Sequence, residues 1–547
     1  MKQTPVKALM HQVHTRPQGT AFIFHEDVWT YERLASEAAR LARALAARGV
    51  RAGDRIALHM MNRPEMIVAY YACFQLNATA APLRTAFKLA ELAPLLQRLG
   101  PALYLGEMNL YHNVASIDDA ILPQDRRFVL DAARDGVDVQ PWELLFEGAD
   151  NEPSFTPSEL QHLAVLINTS GTTGQPKFVM HSADTLGESI GLLADSLNVS
   201  HKDVIIAPMP LAHISGLLTF LAWIDYGAPF VLFDSLDTEA VLDAIERNRC
   251  TVFGSFPFQY AALLELQRAE PRDTSSLRYC LTGADVCPIE LQEQVTSTFK
   301  APLYNIWGAT EVLGSLTYGL KPGPVARIVK DAEIRLVDES GAEVPHGEVG
   351  ELLVRGPHVF MGYWNDTQAT EQAMEGGWYH TGDLMRRGEG DEIWFVARKK
   401  DIIIRGGTNI SPIEVEEALV ACHPAVKEAV VVGVPDPVLG ERIFGFVTLA
   451  EAAGEGVVSE TLKNVAARLA AYKVPEDLKV LEKLPLTALG KIDRKKLGET
   501  ASDLFKTDQA RTRDAPSRSK GAAPSRRRPK PVGASKQPIV MAPQGGE

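Results

Sequence analysis

The 547-residue chain has few cysteines, and those it has form no pattern. A disulfide framework uses an even set of cysteines at regular spacings, and a zinc or redox site uses close pairs such as C-x-x-C. Five scattered residues meet neither condition, so we predict reduced thiols that fill apolar space in a cytoplasmic protein. These cysteines are Cys73, Cys250, Cys280, Cys287 and Cys422.

The chain also lacks the basic charge and the long apolar runs of two other protein classes. Its formal net charge is −13, whereas binding to nucleic-acid phosphates requires a basic surface. The N-terminal residues contain no apolar segment of a signal peptide. The longest apolar stretch, Leu211 to Phe233, is broken by His213, Asp225 and Gly227, which predicts a buried helix followed by a strand and no membrane span.

Helical and strand patterns alternate over most of the chain. Residues 31–48 have apolar side chains at helical spacing and end at Gly49, residues 54–60 form an apolar strand, and a helix opens at Pro64. The same alternation recurs at residues 230–256. It predicts α/β structure with parallel sheets covered by helices. From about Ala332, short strands separated by turns predict a β-rich unit, and a smaller α/β unit follows Arg398.

The last forty residues differ in composition from the rest. The segment from Asp508 to Glu547 is rich in Pro, Ser and Ala and carries nine Lys/Arg against three Asp/Glu. It has too few large apolar side chains to offset the entropy of ordering, so we predict disorder. Contact with an anionic surface and a purely solubilising role both remain open for this tail.

One segment has the composition of a phosphate-binding loop. In "LINTSGTTGQPKFVMHS", residues 166–182, glycines and hydroxyls precede Lys177, which offers backbone N–H groups, hydroxyl donors and a positive charge to an anion. The spacing is not that of a Walker loop, since Lys177 follows Gly174 by three residues and precedes Phe178. The alternative is a polar surface turn. The candidate phosphate ligands are Thr169, Ser170, Gly171, Thr172, Thr173, Gly174 and Lys177.

Five further motifs follow in a fixed order: "PLAHISG" from Pro210, "NIWGATE" from Asn305, "GWYHTGDL" from Gly377, "ARKKDIIIRGGTNISPIEVE" from Ala397 and "PLTALGKIDRKKL" from Pro485. Together with the loop they resemble the acyl-adenylate-forming superfamily, which contains acyl- and aryl-CoA ligases, firefly luciferase and the adenylation domains of peptide synthetases. The resemblance covers residues 28–497. The resemblance implies that the loop closes over the β- and γ-phosphates of ATP.

The resemblance also implies the domain organisation. It gives a large adenylate-forming domain at residues 1–397, made of two doubly wound α/β subdomains and a β-barrel-like subdomain. A small mobile α+β domain follows at 398–498, and a basic disordered tail at 499–547. Lys400 occupies the hinge position, although a lysine in the run "RKKD" is also typical of a solvated surface. Gly407 would let the pantetheine arm of CoA pass.

The resemblance assigns the nucleotide ligands. Thr310 would meet the α-phosphate, Glu311 would hold Mg²⁺, Trp307 would stack on adenine, and Asp383 and Arg398 would bind the ribose. Without that context Trp307 would be a core residue and Asp383 a turn residue. The same motifs add Asn305 and Gly308 to the cofactor site, and "LTGADVCP" places Gly283, Ala284 and Asp285 beside adenine and the acyl pocket.

Two further residues are assigned to the acid and its activation. Lys491 would touch the substrate carboxylate and the α-phosphate, stabilising the charge that develops at phosphorus. His213 would line the acyl pocket and move between the half-reactions, the alternative being a core histidine. Acetylation of Lys491 by a lysine acetyltransferase, reversed by a deacetylase, is a hypothesis from the same resemblance. Phe178 departs from the family, which has a small residue there.

These implications predict an AMP-forming carboxylate–CoA ligase that uses ATP, Mg²⁺ and CoA. The acid would first form an acyl-adenylate and pyrophosphate, and CoA would then take the acyl group. We favour a monocarboxylate with an apolar aryl, alicyclic or medium-length group. The alternatives are an adenylating enzyme that loads a carrier protein, a luciferase-like oxygenase, and a nucleotide-binding protein without turnover. A homodimer is a further hypothesis, and no nucleic-acid partner is expected.

Overall fold

The computed structural model describes residues 4–132, 139–148, 160–169, 177–234, 237–283, 287–319, 325–328, 333–390, 392–405, 408–436, 439–450, 456–487 and 491–513. Its α-helices are α1 Pro5–Thr15, α2 Tyr31–Ala47, α3 Pro64–Gln75, α4 Leu89–Leu99, α5 Met108–Tyr111, α6 Ala183–Leu197, α7 Ile214–Tyr226, α8 Thr238–Arg247, α9 Pro257–Ala269, α10 Ile289–Phe299, α11 Thr367–Ala373, α12 Pro412–Cys422, α13 Val457–Arg468 and α14 Arg494–Arg513.

The strands are β1 Thr20–Phe24, β2 Asp27–Thr30, β3 Arg55–His59, β4 Thr79–Pro82, β5 Leu103–Glu107, β6 Arg127–Leu130, β7 Gln140–Pro141, β8 Leu163–Thr169, β9 Lys177–Ser182, β10 Ile205–Ile206, β11 Phe230–Leu232, β12 Val252–Ser255, β13 Tyr279–Gly283, β14 Leu303–Ala309, β15 Gly314–Gly319, β16 Val325–Ile328, β17 Glu333–Val337, β18 Val349–Arg355, β19 Met374–Glu375, β20 Trp378–Arg387, β21 Glu392–Arg398, β22 Ile403–Arg405, β23 Thr408–Ile410, β24 Val426–Asp436, β25 Gly440–Leu449 and β26 Asp477–Val480. Short 3₁₀ helices cover Gln124–Arg126, Trp142–Phe146, Thr310–Val312, Lys399–Asp401 and Ala471–Lys473.

Local sequence signals set the ends of the first helices. The Thr30 hydroxyl accepts the backbone N–H of Arg33 and caps α2, and Gly49 with φ +88° follows the helix in the left-handed region that favours glycine. Proline opens α3 at Pro64, where no helical hydrogen bond is lost. The predicted helix-strand-helix order of residues 31–82 is confirmed.

Two sheets carry the parallel pairings that the alternation predicts. A seven-stranded sheet has the order β7-β6-β5-β3-β4-β8-β9 and is parallel except for the β8–β9 hairpin. The second sheet has fourteen strands, and its strands β1, β11, β10, β12, β13 and β14 are parallel. The largest buried cluster joins both sheets through residues of α2, α3 and α7. The α/β prediction is therefore confirmed.

The β-rich unit begins earlier than the sequence suggested. Antiparallel pairing starts at β15, which returns along β14 at Gly314–Gly319, and continues through β16, β21, β20, β18 and β17 in the same sheet. The expected boundary near Ala332 is wrong because "LGSLTYG" carries no turn signal that separates it from the strand before it. A five-stranded sheet of β22 to β26 forms the smaller unit after Arg398.

The C-terminal boundary of the folded chain also needs correction. Disorder was predicted from residue 499, but α14 runs from Arg494 to Arg513. Leu497 and Ala501 are buried, and the ring of Phe505 lies 5.3 Å from that of Phe444. The Pro- and Ser-rich composition that disfavours folding begins only beyond this helix, and residues 514–547 lie outside the described ones.

The apolar stretch Leu211 to Phe233 forms α7 followed by β11, as predicted, with Trp223 fully buried. No helix in the described part of the chain has the length and apolar character needed to cross a bilayer.

Candidate active site

The segment predicted to bind phosphate begins in β8 and ends in β9, two strands that pair antiparallel. Thr169 is the last residue of β8 and pairs with Lys177, the first residue of β9. Both predicted ligands therefore lie at the loop end of this strand pair. Lys177 Nζ lies 4.9 Å from the centre of the Tyr363 ring, which favours a cation. Ser170, Gly171, Thr172, Thr173 and Gly174, which connect the two strands, lie outside the described residues.

The unusual residue after Lys177 is explained by packing. Phe178 is fully buried and belongs to a cluster that includes Leu166 and Val129 of the seven-stranded sheet. Since successive residues of a strand point to opposite faces, Phe178 fills the core while Lys177 stays at the loop end. The large ring is therefore compatible with a lysine that serves the site.

The turn Thr310–Val312 follows β14 and is held from three sides. Tyr363 Oη donates to Glu311 Oε1 at 2.9 Å, and the Phe360 backbone N–H donates to the Glu311 carbonyl at 2.8 Å. His181 Nε2 lies 2.8 Å from the Thr310 carbonyl oxygen. Burial lowers the pKa of His181 to about 4, so the imidazole is neutral and its Nε2–H donates to that carbonyl.

Glu311 has the electrostatics of a cation ligand. Burial raises the pKa of its carboxyl above the ordinary value, and the hydrogen bond from Tyr363 opposes that rise only in part. A carboxylate that is costly to ionise gains most from a nearby cation, and Mg²⁺ prefers carboxylate and phosphate oxygens. Glu311 therefore fits Mg²⁺ bound with a polyphosphate. Among the described residues no group of three or more His, Cys, Asp or Glu forms a metal cage.

Asp383 contacts two other residues that the sequence predicts as nucleotide ligands, Trp307 and Arg398. It pairs with Arg398 across β20 and β21, and Arg398 Nε lies 3.3 Å from Asp383 Oδ1. Trp307 Nε1 donates to Asp383 Oδ2 at 2.8 Å. Burial raises the pKa of Asp383, while the charge of Arg398 and the indole hydrogen bond oppose the rise. These three side chains therefore lie together in one part of the site, although Trp307 and Arg398 are 91 positions apart in the sequence.

The histidine of "PLAHISG" begins α7 at the other side of the site. His213 Nδ1 lies 2.8 Å from Ser215 Oγ and accepts the Ser215 backbone N–H. Asn62 fixes the preceding loop through bonds to Met209 and Leu211. A side chain at Gly216 would collide with the Pro210 carbonyl, so packing requires this glycine.

Lys491 lies close enough to His213 to influence its ionisation. Burial, together with the positive charges of Arg84 and Lys491, lowers the pKa of His213 to about 3. The imidazole is therefore neutral at physiological pH. The positive charge of the C-terminal Lys491 therefore reaches the histidine that caps α7.

The other predicted residues have the following places. Gly283 ends β13, and a Cβ there would lie 2.6 Å from the Ile306 carbonyl oxygen of β14, so strand packing already requires this glycine. Asn305 and Gly308 lie on β14. Lys400 lies in the turn between β21 and β22, and its neighbour Lys399 pairs with Glu351. Ala284, Asp285 and Gly407 lie outside the described residues.

Sequence reasoning missed His181 and Tyr363, which hold the Thr310–Glu311 turn. His181 reads as an isolated histidine in an apolar strand. Tyr363 reads as one of several aromatic residues in "FMGYWND", so neither carries a local signal of its role.

Comparisons with known proteins agree with this geometry. Residues 9–364 match the family described as AMP-binding enzyme, and residues 414–491 match the AMP-binding enzyme C-terminal domain. The chain is 34% identical over 489 residues to a medium-chain fatty-acid–CoA ligase of Escherichia coli strain K12, covering 86% of this chain and 85% of that one. It is 33% identical to an indoleacetate–CoA ligase of Aromatoleum aromaticum, covering 87% and 94%.

A solved structure extends the likeness to the fold. The crystal structure of an anthranilate CoA ligase in complex with anthranoyl-AMP superposes with a TM-score of 0.85 at 26% identity, covering 92% of this chain and 98% of that one. The chain therefore belongs to the AMP-binding enzyme family, and it is an AMP-forming acyl- or aryl-CoA ligase that uses ATP, Mg²⁺ and CoA.

Proposed function

We propose that this ligase activates a monocarboxylic acid with an apolar aryl, alicyclic or medium-length group. Relatives named for a medium-chain fatty acid and for indoleacetate support this class of acid. The observation that carries the mechanism is the joint placement of Asp383, Trp307 and Arg398 beside the Thr310–Glu311 turn.

The nucleotide half of the site would work as follows. Asp383, already held by Trp307 and Arg398, has lone pairs left to accept hydrogen bonds from ribose hydroxyls. The flat ring of Trp307 would lie along adenine, and the Thr310 hydroxyl would donate to the α-phosphate. Glu311 would hold Mg²⁺, which when bound neutralises charge on the phosphate oxygens.

The acid half would depend on Lys491. The acid's carboxylate oxygen attacks the α-phosphorus, the bond from that phosphorus to the β-phosphate oxygen breaks, and pyrophosphate leaves with the electron pair. Lys491 would stabilise the negative charge that grows on the α-phosphate, which lowers the barrier more than it strengthens substrate binding. His213, neutral and half-buried, would border the acid.

The second half-reaction needs a different arrangement of the small domain. We infer that the segment from Arg398 turns about Lys400, which withdraws Lys491 and brings the side of Gly407 to the acyl-adenylate. The placement of Lys400 in a short turn between two sheets supports this, since such connections absorb backbone rotation. The CoA thiolate would then attack the acyl carbon and release AMP.

A panel of acids tests this function directly. Purified protein with MgATP is offered straight-chain, alicyclic and aryl acids, and pyrophosphate, AMP and thioester are measured with and without CoA. The proposal expects at least one apolar acid to yield thioester and AMP in equal amounts. Acid-dependent pyrophosphate release with no thioester on adding CoA would instead indicate loading of a carrier protein.

Replacing Lys491 separates the two half-reactions. Lys491→Ala is expected to lower acyl-adenylate formation by roughly 100-fold or more, the loss found when one group that stabilises a transition state is removed. Conversion of supplied acyl-adenylate and CoA to thioester should stay within about twofold. Lys496→Ala, an exposed lysine of the same segment, is the matched control and should leave both steps unchanged. Equal loss of both steps in Lys491→Ala would refute its assignment.

A further inference from the structure

One buried cation beside this site has no role so far. Arg84 follows β4 and is only 6% exposed. Its Nη2 donates to the Asn168 carbonyl oxygen on β8 at 3.0 Å, whereas Nε and Nη1 have no hydrogen-bond partner in the described part of the chain. Asn168 is itself fully buried, and its amide donates to the Pro82 carbonyl. The Asn168 carbonyl therefore holds the guanidinium, and the N–H groups of Nε and Nη1 stay unused within the described residues.

Among the described residues, no carboxylate forms an ion pair with Arg84. Burial lowers its pKa to about 10, so the side chain remains a cation at neutral pH. Its described neighbours include the ring of Phe87, 5.6 Å away, and Glu91, whose charge favours the cation. A buried cation without a paired anion is strongly destabilising. Such a residue is explained when a ligand supplies the anion.

The position of Arg84 indicates which anion this is. Asn168 is the residue before Thr169, so Arg84 is anchored where β8 leads into the phosphate-binding segment. Its charge also acts on His213, together with that of Lys491. Two positive charges therefore influence one neutral imidazole, and such a site favours negative charge. In the proposed reaction the largest negative charge arises on the departing pyrophosphate.

We propose that Arg84 binds the β- and γ-phosphates of ATP and the pyrophosphate that leaves. This inference rests on the proposed function and adds a ligand to the same site. As the acid's oxygen bonds to the α-phosphorus, the electron pair of the breaking bond stays on the pyrophosphate oxygen, and the free N–H groups of Arg84 donate to pyrophosphate oxygens. Planar, forked donors of this kind match phosphate geometry.

The test compares wild type with Arg84→Met and Arg84→Lys. In ATP–pyrophosphate exchange, Arg84→Met should raise the KM for pyrophosphate at least tenfold, and Arg84→Lys should recover part of the loss. Equilibrium binding should show ATP affinity reduced at least tenfold, while AMP affinity stays within twofold, because AMP lacks both outer phosphates.

Thermal stability separates a ligand role from a structural one. Without ligand, Arg84→Met should be at least as stable as wild type, since it removes an unpaired buried charge. The contrast is Arg127→Met, because Arg127 is fully buried with its donors bonded to backbone oxygens and should be destabilised by the same change. A destabilised Arg84→Met with equal losses for ATP and AMP would make Arg84 structural and overturn the proposal.

Two other outcomes also overturn it. Unchanged affinities for ATP and pyrophosphate would remove the phosphate role outright. A rise confined to the KM for the acid would assign Arg84 to a substituent of the acid instead. If wild type shows no exchange with any acid, the proposed function fails, but binding of ATP against AMP still tests Arg84.

Discussion

Two carboxylates of this active site, the buried Asp383 and the half-buried Glu311, differ in their partners. Asp383 faces the cation of Arg398 and the indole N–H of Trp307. Glu311 accepts hydrogen bonds from the neutral hydroxyls of Tyr363 and Tyr379, and the charge of Arg398 also favours its ionised form. Burial raises the pKa of both carboxyls. Burial therefore disfavours the ionised form of both carboxylates, and different partners in the protein oppose that effect.

The different partners of Asp383 and Glu311 suit the two carboxylates to two kinds of ligand. Asp383 has its charge balanced by Arg398 and is oriented by Trp307, so it is prepared to accept hydrogen bonds from a neutral group such as ribose. Glu311 forms no ion pair with the described residues, so it would hold a metal ion that neutralises phosphate charge. Replacing each carboxylate by its amide should accordingly produce different defects.

Glu311→Gln should give the largest effect of these changes. Losing the charge weakens the hold on Mg²⁺, so acyl-adenylate formation should fall roughly 100-fold and need more Mg²⁺ for half-maximal rate. In wild type the same rate should fall as the pH drops through the raised pKa of Glu311, because protonation removes the ligand. That acidic limb should be absent from the variant. An unchanged Mg²⁺ requirement would contradict the assignment.

Asp383→Asn should be next in size and should leave the Mg²⁺ requirement alone. Hydrogen bonds to a charged group contribute about 1.5–3 kcal/mol, so the affinity for both ATP and AMP should fall about 10- to 100-fold. The variant should also discriminate less between ATP and 2′-deoxy-ATP. Loss of ATP affinity with full discrimination retained would mean that Asp383 does not contact the ribose.

Without ligands, Glu311→Gln should increase the stability of the protein, although it lowers activity. The raised pKa of Glu311 means that folding disfavours its ionised form. Above that pKa the wild type therefore has a lower free energy of unfolding. The loss disappears as the pH falls below about 4.3, the pKa of a glutamate in the unfolded chain. Glu311→Gln should therefore unfold at a higher denaturant concentration than wild type at pH 8, with the gain shrinking towards pH 4. Asp383→Asn should gain less, because Arg398 loses its partner. Destabilised Glu311→Gln at pH 8 would contradict this.

Tyr363→Phe should give the smallest effect. It removes one hydrogen bond to Glu311, with a net contribution of about 0.5–1.5 kcal/mol, and should raise the KM for MgATP roughly three- to tenfold. Tyr260→Phe is the control, since that buried hydroxyl bonds to the Phe253 carbonyl on another strand and should lower stability without changing Mg²⁺ dependence. Equal KM values in the two variants would remove Tyr363 from the site.

The sequence predicted the members of this site better than their contacts. Ordered motifs identified Asp383, Arg398 and Trp307, because each motif constrains several neighbouring residues at once. They did not predict that the Trp307 indole N–H would bond to Asp383, which depends on how β14 lies beside β20 and β21. Single side chains such as His181, Tyr363 and Arg84 gave no pattern, since their roles arise from distant strands meeting in space.

The alternation of helices and strands predicted the α/β class and the place of α7 and β11. Boundaries were less well predicted. The antiparallel strands begin at Gly314, and the final helix reaches Arg513 because Leu497 and Ala501 pack into the core, which the tail composition does not show.

Exchange of labelled pyrophosphate into ATP tests the central claim most directly. With an acid that is a substrate, and without CoA, label should enter ATP at a rate that depends on the acid and on Mg²⁺, and Lys491→Ala should abolish it. If no acid from a broad panel supports exchange by the wild-type protein, the assignment of this site to adenylate formation is contradicted.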